Sequence, residues 1–168
     1  MKKVLSLVLS VAFFASVTQA QVVNMTNGEF NKETKPAFVM ELEFSKKIVE
    51  EAVEKRFKND KQKGKSSGGM TTYANTTYSD MGVRDCNVYT KIDGNSKSAT
   101  LYIFVQEANG NFITSGADQE KQIKKFMISL AGDVKALDLE YQIADQKKVW
   151  VKKMTAKHYS TSCMNNMQ

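Results

Sequence analysis

From Ala117 onward the apolar residues Ile123, Met127, Leu130, Val134, Leu137, Tyr141 and Ala144 recur at alternating spacings of three and four. That is the periodicity of one long amphipathic helix. The pattern extends over roughly 40 residues to about Lys157, which at about 1.5 Å per residue makes a rod of ~60 Å. A single domain of this chain length measures roughly 30 to 40 Å across. The helix must therefore overhang its own domain or bend back, and Gly132-Asp133 and Ala144-Asp145 are the two candidate breaks. A polar tail, STSCMNNMQ, is expected to end the chain.

Upstream the period is two. In PAFVMELEF, Phe38, Met40, Leu42 and Phe44 alternate with Val39, Glu41 and Glu43, as in a half-buried strand with its glutamates in water. Ser45 then offers an N-cap to a short amphipathic helix over residues 45–58, where Val49, Val53 and Phe57 sit four apart. The stretch NDKQKGKSSGG over residues 59–69 holds no apolar side chain and reads as an exposed connection. Two Thr- and Tyr-rich extended pieces follow, MTTYANTTYSDM and RDCNVYTKI, and then KSATLYIFVQ, the last two runs joined by Asp93-Gly94-Asn95-Ser96 turn chemistry. In the last piece Leu101, Ile103 and Val105 face one way and Tyr102, Phe104 and Gln106 the other. Both faces are largely apolar, so this strand is expected to be central or covered on both sides. Asn109-Gly110-Asn111 marks another turn, with Phe112-Ile113 as a short return.

These segments predict an α+β fold: an antiparallel sheet of about four or five strands, one short helix crossing a face, and a long C-terminal helix whose first half packs on that face. Residues 21–35 read as a polar lead-in with a short strand at Val22 and Val23. Residues 36–145 form the domain, and residues 146–168 the basic helix end and tail.

The chain opens with Lys2 and Lys3, an apolar run from Val4 to Val17, and small residues at Thr18 and Ala20. This is the layout of a secretory signal peptide cleaved at Ala20/Gln21; the run is too short to span a bilayer, and no later one approaches that length. A secreted or periplasmic location follows. Cleavage would remove two of the 24 basic side chains and none of the 18 acidic ones, so the exported part is only mildly basic. Both cysteines, Cys86 and Cys163, lie in it. In an oxidising compartment they are a candidate disulfide, worth about 4 to 5 kcal/mol for a loop of that length. A partly buried Cys86 with a free thiol in the tail is the alternative.

Candidate catalytic chemistry is sparse. The one histidine, His158, stands among lysines near the end of the last helix, where a pairing with Cys163 lacks the rigid frame a nucleophile and its base need. One His and two distant Cys do not make a zinc set, and no calcium loop is present. Glu41 and Glu43, and the helix acids Glu50, Glu51 and Glu54 beside Lys46, Lys47 and Lys55, read as solvated charge and i, i+4 pairs. The GKSSGG run lacks the strand before and helix after that a phosphate loop requires. No catalytic, metal or cofactor residue is assigned.

One local cluster stands above the background. After Asp145 the chain carries no acid, while Lys147, Lys148, Lys152 and Lys153 surround Trp150, the single tryptophan. Such a segment can rest on an anionic membrane or glycan. The favoured reading is a lysine-rich helix end suited to the helix dipole, with Trp150 packed on the domain or on a partner.

The order of these segments resembles a family of exported Bacteroidota proteins without assigned activity. The similarity is carried by KKIVEEAVEKRFKNDKQKGKS, then NVYTKI, SATLYIFV and NGNFIT before the helical tail, roughly residues 28–145. The two cysteines and the basic C-terminus depart from the family pattern, and the resemblance supplies no catalytic residues. The functional expectation is a non-enzymatic protein-protein interaction module of the cell envelope, acting through the C-terminal helix on a partner or a second copy. The alternative is a module for a small ligand or an anionic surface, through the sheet or the Trp150 lysine cluster. Nucleic acid is disfavoured as a partner.

Overall fold

The structure, a computed structural model, describes residues 21–165, and side chains as far as residue 155. Residues 1–20, expected to be a signal peptide, lie outside the described residues. Six strands form one antiparallel sheet: β1 (Val23–Phe30), β2 (Glu33–Leu42), β3 (Lys65–Ser67), β4 (Met70–Tyr78), β5 (Val83–Gly94) and β6 (Ala99–Gln106), in the order β1-β2-β6-β5-β4-β3. Helix α1 (Lys46–Asn59) joins β2 to β3 at the far edge, so it must cross the sheet, and α2 (Glu120–Asn165) follows β6. The α+β class is as expected; the strand count is higher by β1 and β3.

Both extra strands lack an apolar signal. The supposed lead-in, residues 21–35, holds β1 and the start of β2, paired from Val23 opposite Met40 to Phe30 opposite Glu33. Asn31 and Lys32 close that hairpin at φ 50° and 68°, a turn whose twist matches the strands it joins. Polar β1 is tolerated because it is an edge strand, needing backbone pairing more than a buried face. In the stretch read as a connection, β3 is fully exposed and pairs with β4 through a Gly68-Gly69 turn. Pro36 is tolerated in β2 because β6 pairs only from Phe38 onward, leaving no partner on that side to require its missing N–H.

Alternation assigns the inner face. Phe38, Met40 and Leu42 of β2, Val88 of β5, and Leu101, Ile103 and Val105 of β6 are buried together with Val49, Ala52, Val53 and Phe57 of α1. Ser45 caps α1, its Oγ accepting from the Ile48 N–H at 3.4 Å. Two opposed irregularities, at Asn75 in β4 and Asp85 in β5, each at φ 50°, interrupt the β4–β5 register. They bring Tyr73, Thr76 and Tyr78 all to buried positions despite a spacing that strict alternation would split.

The outer face of β6 is also covered, as its two apolar faces implied. Phe104 is fully buried under Phe30, ring centroids 5.3 Å apart, and Phe30 in turn meets Tyr89 at 4.8 Å and Phe112 at 5.1 Å. The end of the β1–β2 hairpin and the Phe112 segment thus lie over the sheet's outer side.

Candidate functional site

Helix α2 is continuous over 46 residues. Neither expected break occurs, and the expected polar tail is helical through Asn165. After Gly132 the sequence holds no glycine or proline to end the helix. Its buried side chains are Ile123, Phe126, Met127, Leu130, Ala131, Val134 and Leu137. The core stripe ends there: Tyr141 and Ala144, expected to continue it, are exposed.

The root of the projecting part is tied down by polar contacts. Arg56 donates to Asp133 at 2.9 Å, Lys55 lies 3.8 Å from Glu140, and the Tyr141 hydroxyl donates to Glu51 at 2.7 Å. Arg56 also pairs with Asp80 at 2.9 Å and stands over the Phe126 ring, which joins α1, α2 and the turn after β4. Past Tyr141 the bonds among described residues stay within the helix, such as Lys148 to Asp145 at 3.0 Å. From Gln142 to Thr155 every residue is exposed, about 20 Å of helix beyond its last tether.

This bare segment carries the sequence's candidate cluster. Trp150 is 67% exposed, so it is not packed on its own domain. The four lysines do not share a face. At about 100° per residue, Lys147 and Lys153 flank Trp150 on either side, while Lys148 and Lys152 fall on the opposite side. What the sequence reading missed is a second apolar line. Leu139, Ile143, Trp150 and Met154, between 48% and 68% exposed, fall within a stripe roughly 60° wide, about opposite the core stripe. Spacings of four, seven and four were visible in the sequence, but the core stripe beside them was the stronger signal.

Cys86 in β5 is a buried free thiol whose Sγ lies 3.1 Å from the Arg84 carbonyl. Burial pushes its pKa up. The Cys163 and His158 side chains lie outside those described. Among the described residues no group of His, Cys, Asp and Glu is placed to hold a metal, and no helix is long and apolar enough to cross a membrane.

A second feature is a groove of about 610 Å³ between α1 and the β3–β4–β5 end of the sheet, with Glu50, Glu54, Lys58 and Lys63 around it and Tyr73 in its wall. Tyr73 stacks on Phe57 at 3.9 Å and is 3% exposed. Burial, and secondarily the charge of Glu54, pushes its phenol up from 10.0 to about 12. The folded protein therefore keeps this proton where the unfolded chain has lost it. The stability it contributes is full below about pH 10 and falls as pH rises toward 12. Urea midpoints on either side of pH 10 should accordingly drop more steeply in wild type than in Tyr73→Phe. A wild type and variant falling in parallel would remove Tyr73 as the cause.

No known family model matches this chain, and no curated protein is significantly similar to it.

Proposed function

We propose that this is an exported, non-enzymatic interaction module that presents the distal part of α2 to a protein partner in the cell envelope. One observation carries the reading: a helix rooted in a packed domain leaves that domain with Leu139, Ile143, Trp150 and Met154 all in solvent along one side. Scattered exposed apolar side chains are ordinary, but a set aligned along one helix with a tryptophan in it marks a contact surface. Replacing Ile143 and Trp150 together by glutamate should leave the secondary structure and the fold of the domain intact, since neither residue touches the core. In vivo crosslinking in the native envelope should then lose the adduct formed by wild type. Identical adducts from both proteins would refute the reading.

The alternative, an anionic-surface or small-ligand module, has weaker support. The lysines around Trp150 ring the helix, whereas a helix lying on a membrane gathers them on one side. With Lys148 and Lys152, on the side of the helix away from the apolar stripe, replaced by glutamine, the protein should retain the wild-type adduct. If that variant loses binding to acidic vesicles that wild type shows, and loses it with a steep salt dependence, the alternative takes precedence.

A further inference from the structure

We infer that the partner of the exposed α2 stripe is a second copy of this chain, bound as an antiparallel helix pair; this rests on the reading of α2 as a contact surface. The argument begins with charge. Between Asp138 and Gln146 the helix holds three acids, Asp138, Glu140 and Asp145, and no base; from Lys147 to Met154 it holds four lysines and no acid. A rod with one acidic and one basic half is complementary to itself only when reversed. A parallel pair would set acids on acids and lysines on lysines, whereas an antiparallel pair sets each acidic half on the other's basic half.

The apolar spacing gives the register. Ala136, Leu139, Ile143, Gln146, Trp150 and Lys153 follow the alternating three-four spacing of a coiled-coil seam. Reversing one copy about a two-fold axis between Ala144 and Asp145 places Leu139 against the partner's Trp150, and Ile143 against the partner's Gln146. By symmetry each contact occurs twice. The same register sets Glu140 beside the partner's Lys147, again twice, on the flank of the seam. Trp150 and Leu139 thereby cover each other, which accounts for a tryptophan left 67% exposed in the single chain. The domain does not obstruct this pairing, because the core stripe of α2 and the new seam lie on opposite sides of the helix. The two domains would sit at opposite ends of the pair, each on its own side.

Against the other occupant considered, an anionic surface, stand the same acids. A helix lying flat along Leu139, Ile143 and Trp150 would press Glu140 into that surface together with Lys147. Self-pairing uses both charges.

Sedimentation equilibrium on the full chain tests the proposal. Wild type should form a dimer whose dissociation constant rises at least about a hundredfold in Ile143→Glu/Trp150→Glu. Glu140→Lys or Lys147→Glu alone should weaken it about tenfold, because two attractive pairs become repulsive. The double exchange Glu140→Lys/Lys147→Glu should restore it. Restoration is particular to the antiparallel register, since in a parallel pair Glu140 would neighbour Lys135 instead. A monomeric wild type, or a dimer indifferent to the Ile143/Trp150 change, overturns the proposal. The wider reading has a separate outcome: if wild type is monomeric but its envelope adduct is still lost in the Ile143/Trp150 variant, α2 binds a different protein and only the self-pairing falls.

Discussion

Phe57→Ala should destabilise the domain by about 4 kcal/mol, within the range for emptying a fully buried aromatic site. Phe57 is 0% exposed on the last turn of α1. Its ring stacks on Tyr73 at 3.9 Å, tilts against Tyr78 at 5.3 Å and meets the edge of Phe126 at 5.9 Å. One side chain therefore joins α1 to the β4 strand and to the rooted part of α2. Three rigid rings around the void cannot collapse into it as flexible aliphatic chains would, so little of the lost contact is recovered. For a domain whose total stability is of order 5 to 15 kcal/mol, the loss is a large share. Phe57→Leu, which keeps most of the volume, should cost no more than about 1.5 kcal/mol. Urea unfolding of the three proteins is the measurement. Equal midpoints for the alanine and leucine variants would mean that the aromatic cluster is not what holds α1 down.

Phe57 also shows what could be read without coordinates. The four-residue spacing of Val49, Val53 and Phe57 and the cap at Ser45 define α1 by themselves, because an amphipathic helix writes its buried face into local sequence. The alternation in β2 and the double apolar character of β6 do the same for the centre of the sheet. Edges are different. Polar β1 and three-residue β3 are held by backbone pairing to neighbours, and backbone pairing leaves no side-chain signature. The Asn75 and Asp85 irregularities were equally silent, since each depends on a register set by the other strand. The long helix was legible as to length, but its second stripe was not. Seven residues of core periodicity from Ile123 to Ala144 imply one face, and nothing in a linear pattern says that the domain stops at Leu137.

Where the domain stops decides what α2 can do. Arg56, Lys55 and Glu51 all lie on α1, and they hold Asp133, Glu140 and Tyr141 respectively. The orientation of the projecting helix is thereby set by α1, and α1 is set by the sheet through Phe57. Glu140 is shared: it stands 3.8 Å from Lys55, with both side chains more than half exposed. An ion pair that open is weak, so Glu140 stays free to turn toward a second helix, while the buried end of the same helix remains fixed.

Gly94→Ala should destabilise the domain by about 3 kcal/mol, and for a reason unrelated to burial. Gly94 ends β5 opposite Ala99 with φ 150°, a conformation that side chains rarely adopt. A Cβ there would stand 2.4 Å from the Ser98 carbonyl oxygen and 2.6 Å from the Ala99 Cα. Those atoms are backbone, so relief requires moving the strand rather than turning a side chain. The turn they belong to is closed by Asn95, whose N–H donates to the Ser98 carbonyl at 2.9 Å and whose Oδ1 accepts from the Lys97 and Ser98 N–H groups at 2.8 and 3.2 Å. The Asn95 carbonyl in turn accepts from the Lys46 N–H at 2.8 Å, the first residue of α1. A shift at Gly94 therefore reaches the hairpin of the two central strands and the start of the helix that roots α2. Gly68→Ala supplies the control, because Gly68 has φ +60° and a methyl group added to it would meet no atom within 4 Å. That change carries the conformational cost alone, about 1 kcal/mol. A Gly94 variant no less stable than the Gly68 variant would show that the β5–β6 turn can open without loss.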